Sequence, residues 1–169
     1  GGQAARIISS PSAGDLDGDG AIEILVATNE RYNKPGRMYA MHAEGNDHPD
    51  GAFVEGWPVV IRSIVDSYLP YIGEGTPSSP SLADVDGDGD VEAVISTGVG
   101  LPFIFDGDGQ ILRVLSPFSL GFFDGTFEPL MGTLNSNFSF ADLEGDGRLQ
   151  VVSGGAGLFF ALQMGLPGY

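Results

Sequence analysis

"DVDGDGDVEA", residues 84–93, sets four aspartates and a glutamate within nine residues and spaces them with glycine. So many carboxylates on one short segment repel one another unless something neutralises them, so the stretch reads as a cation site rather than as solvated surface. Close copies lie on either side. "SSPSAGDLDGDGAIEILVAT" starts at Ser9, "SSPSLADVDGDGDVEAVIST" at Ser78 and "SNFSFADLEGDGRLQVVSGG" at Ser136. Their first aspartates, Asp15, Asp84 and Asp142, are 69 and 58 residues apart. A repeat of that length is too long for the short solenoid periods.

Counting each loop from its first aspartate, positions 1, 3 and 5 are Asp15, Asp17 and Asp19 in the first copy and Asp84, Asp86 and Asp88 in the second. Position 9 is Glu23 or Glu92, and glycines at positions 4 and 6 permit the positive φ that lets alternate side chains converge. A hard divalent cation takes six to eight oxygens, and these carboxylates plus a position-7 backbone carbonyl (Ala21, Asp90) supply most of them. Ca2+ suits such a cage better than Mg2+, and zinc is not expected without Cys or clustered His. The third loop departs from the pattern. Asp142 and Asp146 remain, with Arg148 offering its carbonyl, but Glu144 stands at position 3 and neutral Gln150 at position 9. Two Ca2+ sites are expected, and a weaker third stays open. An EF-hand is excluded, because its closing Glu at position 12 is here Val26 or Ile95, and strand-like text follows directly.

The text around the loops predicts strands. "AIEILVAT", "VEAVIST" and "LQVVSGG" are short, β-branched runs bounded by glycine. "GRMYAMH" and "GWPVVI", then "PFIFD" and "QILRVL", add two strands to each of the first two units, and the Ser-rich lead-ins supply the first strand of each. Four short strands per unit of roughly 60 residues make an all-β chain of propeller blades, each blade four antiparallel strands. The units run from about 6 to 74, 75 to 132 and 133 to 169, the last incomplete.

Twelve of the 23 acids fall in the three loops, and seven basic residues leave a net charge of −16. Nucleic acid and anionic membrane are therefore poor partners. No apolar run reaches the roughly 18 residues of a membrane span. "GGQAARIISS" lacks the make-up of a signal peptide, so export would precede this N-terminus or belong to a longer chain. The absence of Cys excludes a disulfide framework and thiol catalysis.

The units resemble FG-GAP (VCBS-type) repeats, the blades of integrin-α-like β-propellers, whose loop reads Asp-x-Asp-x-Asp-Gly-x-x-Asp/Glu. Asp15, Asp17, Asp19, Gly20 and Glu23 fit it, as do Asp84, Asp86, Asp88, Gly89 and Glu92; Asp142, Asp146 and Gly147 fit in part. The resemblance implies a calcium-stabilised adhesion or ligand-recognition module that is extracellular, secreted or on the cell surface. Such propellers usually close with about seven blades, and closure removes exposed sheet edges. About three blades are thus expected to need the remaining blades of a longer chain, the favoured reading, or further copies. Tyr68 and Tyr71 in "DSYLPYIGEG" are candidate contacts for a protein or glycan ligand. Phe118, Phe122, Phe123 and Phe127 read as packing between blades. His42 and His48 are the only histidines and neither adjoins a nucleophile motif, so no catalysis is expected of this chain alone. A scaffold subunit of a surface assembly and part of a carbohydrate-active enzyme are the alternatives.

Overall fold

The computed structural model describes residues 7, 9–30, 36–61, 74–76, 78–96, 102–114, 137–155 and 158–163. Tyr68, Tyr71 and the Phe118–Phe127 cluster lie outside them. The first loop is framed by β1 (Ser12–Gly14) and β2 (Glu23–Ala27), followed by β3 (Asn29–Glu30), β4 (Gly36–His42) and β5 (Val59–Ile61). Next come β6 (Glu74–Gly75), β7 (Ser81–Ala83), β8 (Glu92–Ser96), β9 (Pro102–Phe105) and β10 (Ile111–Val114). The third loop lies between β11 (Phe138–Ala141) and β12 (Gln150–Gly155), and β13 (Leu158–Gln163) ends the series. Among the described residues helical structure is confined to one 3-10 turn, Gly45–Asp47, so no helix is long and apolar enough to cross a membrane.

Two sheets are four-stranded antiparallel meanders, β1-β2-β4-β5 and β7-β8-β9-β10, and a third is β11-β12-β13. The all-β, blade-like architecture expected from the sequence is what the chain adopts. The register across each acidic loop is the same in all three sheets: Gly14 pairs with Glu23, Ala83 with Glu92 and Ala141 with Gln150. Every loop is therefore a hairpin connection from position 1 to position 8, and position 9 opens the next strand.

Burial patterns show how the sheets stack. In β2, Leu25 and Ala27 are fully buried while Ile24 and Val26 are half-buried, so one face carries the core. In β8 all five residues are buried, because this sheet is covered on both faces. Ala93, Ile95, Phe103 and Phe105 pack with Leu25, Met38 and Val59 of the first sheet and with Trp57 of its β4–β5 connection. Val94 and Ile104, on the opposite face, pack with Phe138 of the third sheet. The first strands line up side by side along the stack, with Gly14 close to Leu82: a Cβ at this position would sit 2.8 Å from Leu82 Cδ1 and displace the end of that side chain.

The Ser-rich lead-ins clamp successive sheets together. Ser12 Oγ donates to the Pro80 carbonyl, and Ser81 Oγ, its counterpart one unit on, donates to Phe138 O at 2.7 Å. Ser10 N–H donates to Ser79 Oγ (3.0 Å), and Ser79 N–H to Asn137 Oδ1 (2.8 Å). A separate two-stranded pairing, β3 with β6, joins the segment leaving β2 to the segment entering the second sheet.

Ile95→Ala, which empties a fully buried site between sheets, should cost about 2–5 kcal/mol in urea unfolding. Ile111→Ala, at a residue 52% exposed, should stay within about 0.5 kcal/mol.

Candidate metal centres

One hydrogen-bond scaffold builds all three loops. The position-1 aspartate grips the backbone of positions 4 and 6: Asp15 accepts from Gly18 (2.9 Å) and Gly20 (3.1 Å), Asp84 from Gly87 (2.6 Å) and Gly89 (3.1 Å), and Asp142 from Gly145 (2.6 Å) and Gly147 (2.8 Å). Both glycines are left-handed in every copy, for example φ 76° and 89° at Gly18 and Gly20, which a side chain would strain. Position 5 accepts from position 7, at 2.6 Å from Ala21 to Asp19 and 2.9 Å both from Asp90 to Asp88 and from Arg148 to Asp146. The three residues assigned a carbonyl role thus have their N–H groups engaged inside the loop.

Position 9 reaches back to position 2. Leu16 N–H donates to Glu23 Oε2 (2.8 Å), Val85 N–H to Glu92 Oε2 (2.7 Å) and Leu143 N–H to Gln150 Oε1 (2.5 Å). One oxygen of the position-9 side chain closes the loop, and in the first two copies a second carboxylate oxygen remains. In the first copy that oxygen, Glu23 Oε1, is buried without a hydrogen-bond partner.

The carboxylates converge in two loops. Oxygens of Asp15, Asp17 and Asp19 lie within 4.8 Å of one another, as do those of Asp84, Asp86 and Glu92. Asp88 and Asp90 do not join the second group, and Asp142, Glu144 and Asp146 form no such group among the described residues. The electrostatics follow the same division. Burial, with the charges of Asp86, Asp88 and Asp84 adding to it, pushes the Glu92 carboxyl up to about 7 against the pull of its bond from Val85. Burial likewise raises Asp86, helped by Asp88 and Asp84. Asp142 is lowered instead, chiefly by the Gly147 N–H and also by those of Gly145 and Asp146. The third loop holds its anion with backbone dipoles, whereas the second holds more negative charge than its surroundings favour.

The first two loops meet across the sheet interface. Asp17 faces Asp86, Asp88 and Asp90 across a cleft of about 320 Å3 that Asp106 and Asp108 close. The β9–β10 turn fits there because Gly107 leaves room: a Cβ would sit 2.6 Å from Leu16 O. Trp57 Nε1 donates to Gly107 O at 2.8 Å and fixes the same turn. Asp106 caps this turn by accepting from Gln110 N–H at 2.7 Å. Its place beside another sheet's loop has no local sequence signal.

Neither His42 nor His48 lies within an acidic loop in sequence. The structure brings both to the first one. His42 pairs with Glu23 across β2–β4, and its Nδ1 lies 3.5 Å from Glu23 Oε1. The His48 ring stacks on it with centroids 3.6 Å apart, and His48 Nε2 lies 4.0 Å from Asp19 Oδ2.

Antiparallel four-strand sheets, stacked through their faces and each led by a glycine-aspartate hairpin, define a propeller-type repeat protein. The family model described as FG-GAP-like repeat matches residues 15–95, and over these residues the chain is of FG-GAP repeat type. No curated protein and no solved structure matches it.

Without added cation, the raised Glu92 makes stability fall as pH rises. The folded state holds a proton that the unfolded state releases between 4.5, the ordinary value, and about 7. Stability is therefore lost progressively across that window. Thermal melts in chelator should give a higher midpoint at pH 5 than at pH 7.5, and Glu92→Gln should flatten the difference.

Proposed function

We propose that the chain is a segment of a calcium-stabilised β-propeller, extracellular or on the cell surface, that serves adhesion or the recognition of a protein or glycan ligand. One observation carries the reading: two loops gather three carboxylate oxygens each within 4.8 Å, and each is closed by a buried glutamate that uses one oxygen for the loop backbone. The donor set is all oxygen in the second loop, which fits a hard cation of Ca2+ size. Asp15, Asp17, Asp19 and Glu23 would hold one ion, and Asp84, Asp86, Asp88 and Glu92 the other, with carbonyls from Ala21 and Asp90.

The ion's part is structural. It cancels repulsion within a loop and, through the shared cleft, between neighbouring sheets. Extracellular modules bind calcium at about 0.1–1 mM, so millimolar calcium outside cells fills such sites and cytosolic levels leave them empty. Recognition would lie on the loops, Tyr68 and Tyr71 included. The half-buried Ile24, Val26, Tyr39 and Met41 face of the first sheet fits a further blade, from a longer chain or a second copy.

At tenfold excess over the dissociation constant each ion adds about 1.4 kcal/mol. Two ions should raise the melting midpoint by about 5–10 °C in calcium over chelator. Asp86→Asn, which keeps an acceptor for the Asp88 N–H, should reduce calcium stoichiometry from two to one in titration calorimetry. An unchanged midpoint and no calcium heat would sink the reading.

A further inference from the structure

The first loop differs from the second in one respect that its acids do not explain. Glu23 and His42 are 0% and 5% exposed, and each carries a polar atom, Oε1 and Nδ1, buried with no hydrogen-bond partner. Those two atoms face each other at 3.5 Å. An exposed carboxylate, Asp17, completes the set, with one donor atom from each of the three residues inside 4.8 Å. With a neutral imidazole these two buried atoms neither hydrogen-bond nor ion-pair with one another, which is costly unless something binds both.

We propose that Asp17, Glu23 and His42 form a site for a borderline divalent transition-metal ion of the zinc class, so that the first loop, unlike the second, can take such an ion in place of calcium. Neutral imidazole suits zinc, nickel and their neighbours, whereas calcium selects oxygen. The spacing agrees. Tetrahedral ligands at zinc's usual bond lengths stand roughly 3.4 Å apart, close to the Glu23–His42 separation. The surroundings orient His42. Its ring is stacked on His48, whose Nδ1 accepts from Asp50 N–H at 3.3 Å, which leaves the neutral ring's proton on Nε2, toward Asp19. His48 is a positioning residue in this arrangement, and solvent reaches the ion from the Asp17 side, which leaves a position open to water.

The second loop has no counterpart. The β8–β9 register places Asp106 next in line opposite Glu92, and that carboxylate caps its own turn. Because Asp17 and Glu23 also serve the calcium reading of the first loop, the two ions exclude one another there. The transition-metal site does not require calcium to bind at either loop.

Cobalt(II) and zinc titrations of the 169-residue chain, in chelator-treated buffer and again in millimolar calcium, test the proposal. One cobalt ion per chain should bind, with visible d–d bands and a hyperfine-shifted, exchangeable imidazole proton in the NMR spectrum. Zinc should displace it. His42→Gln should weaken binding by roughly 100-fold or more and abolish the shifted proton, since even outer partners of a bound metal are worth about 10–100-fold. Glu23→Gln guards against misfolding, because Gln150 shows that an amide at position 9 keeps the closing bond; it should weaken cobalt while leaving a cooperative melt. Wild-type affinity in His42→Gln, or no cobalt bound by a chain with a cooperative melt, overturns the proposal. Cobalt binding without calcium binding upholds it while the calcium reading fails.

Discussion

Every acidic loop depends on a single hydrogen bond, from the position-2 N–H to the side chain at position 9. Position 9 is the first residue of a strand and is buried in all three copies. Its partner lies at the other end of the hairpin connection, so the bond fixes the loop against the sheet rather than only within itself. The position-1 aspartate then winds the intervening backbone around its carboxylate. The result is a turn whose outer acids project from a rigid frame. Without the closing bond, the buried position-9 group would be an unsatisfied polar atom under the sheet edge, at a cost of about 1–3 kcal/mol.

That frame concentrates charge at one end of the sheet stack, and the stacking itself sharpens the effect. The central sheet is buried on both faces, so the first and second loops are brought together by the same apolar packing that holds the sheets. Leu16, fully buried beside Asp17, is part of that core. Buried Leu16 and the Trp57-held turn fix the backbone from which the carboxylates line the cleft. Their crowding is thus a consequence of the fold, and a bound cation would offset it without touching the packing.

The strands and the loops were legible because their signals are local. β-branched runs, flanking glycines and the repeated Asp spacing each lie within about ten residues, and all three registers match the alignment of the copies. The short β3–β6 pairing was not legible, since two-residue strands carry no periodicity. The serine clamps escaped notice for a different reason: Ser12 and Ser81 read as strand lead-in, and their acceptors stand 68 and 57 residues away. The same limit hid the histidines. His42 sits 19 residues beyond Glu23 and meets it only because β2 and β4 pair in that register. A buried histidine at an alternating strand position more often packs than ligates, and a nitrogen that makes no hydrogen bond but faces a buried carboxylate separates the two cases.

The three copies form a natural substitution series at two paired positions. Glu23 stands opposite His42, Glu92 stands one step beyond the Ala93–Phe105 pair, and Gln150 stands opposite Gln163. The closing bond survives in all three, which separates loop architecture from charge. What varies is the second atom at position 9. In the third copy that atom is an amide nitrogen, a donor that repels cations, and the Asp142 carboxylate is already stabilised by backbone N–H groups. In the second copy it belongs to a buried carboxylate, and burial, with the neighbouring carboxylates adding to it, raises its proton affinity. In the first it faces an imidazole nitrogen. One scaffold therefore offers three electrostatic environments: the residue at position 9 and the neighbouring loop acids set those of the second and third copies, and the strand residue across from the loop, His42, sets that of the first.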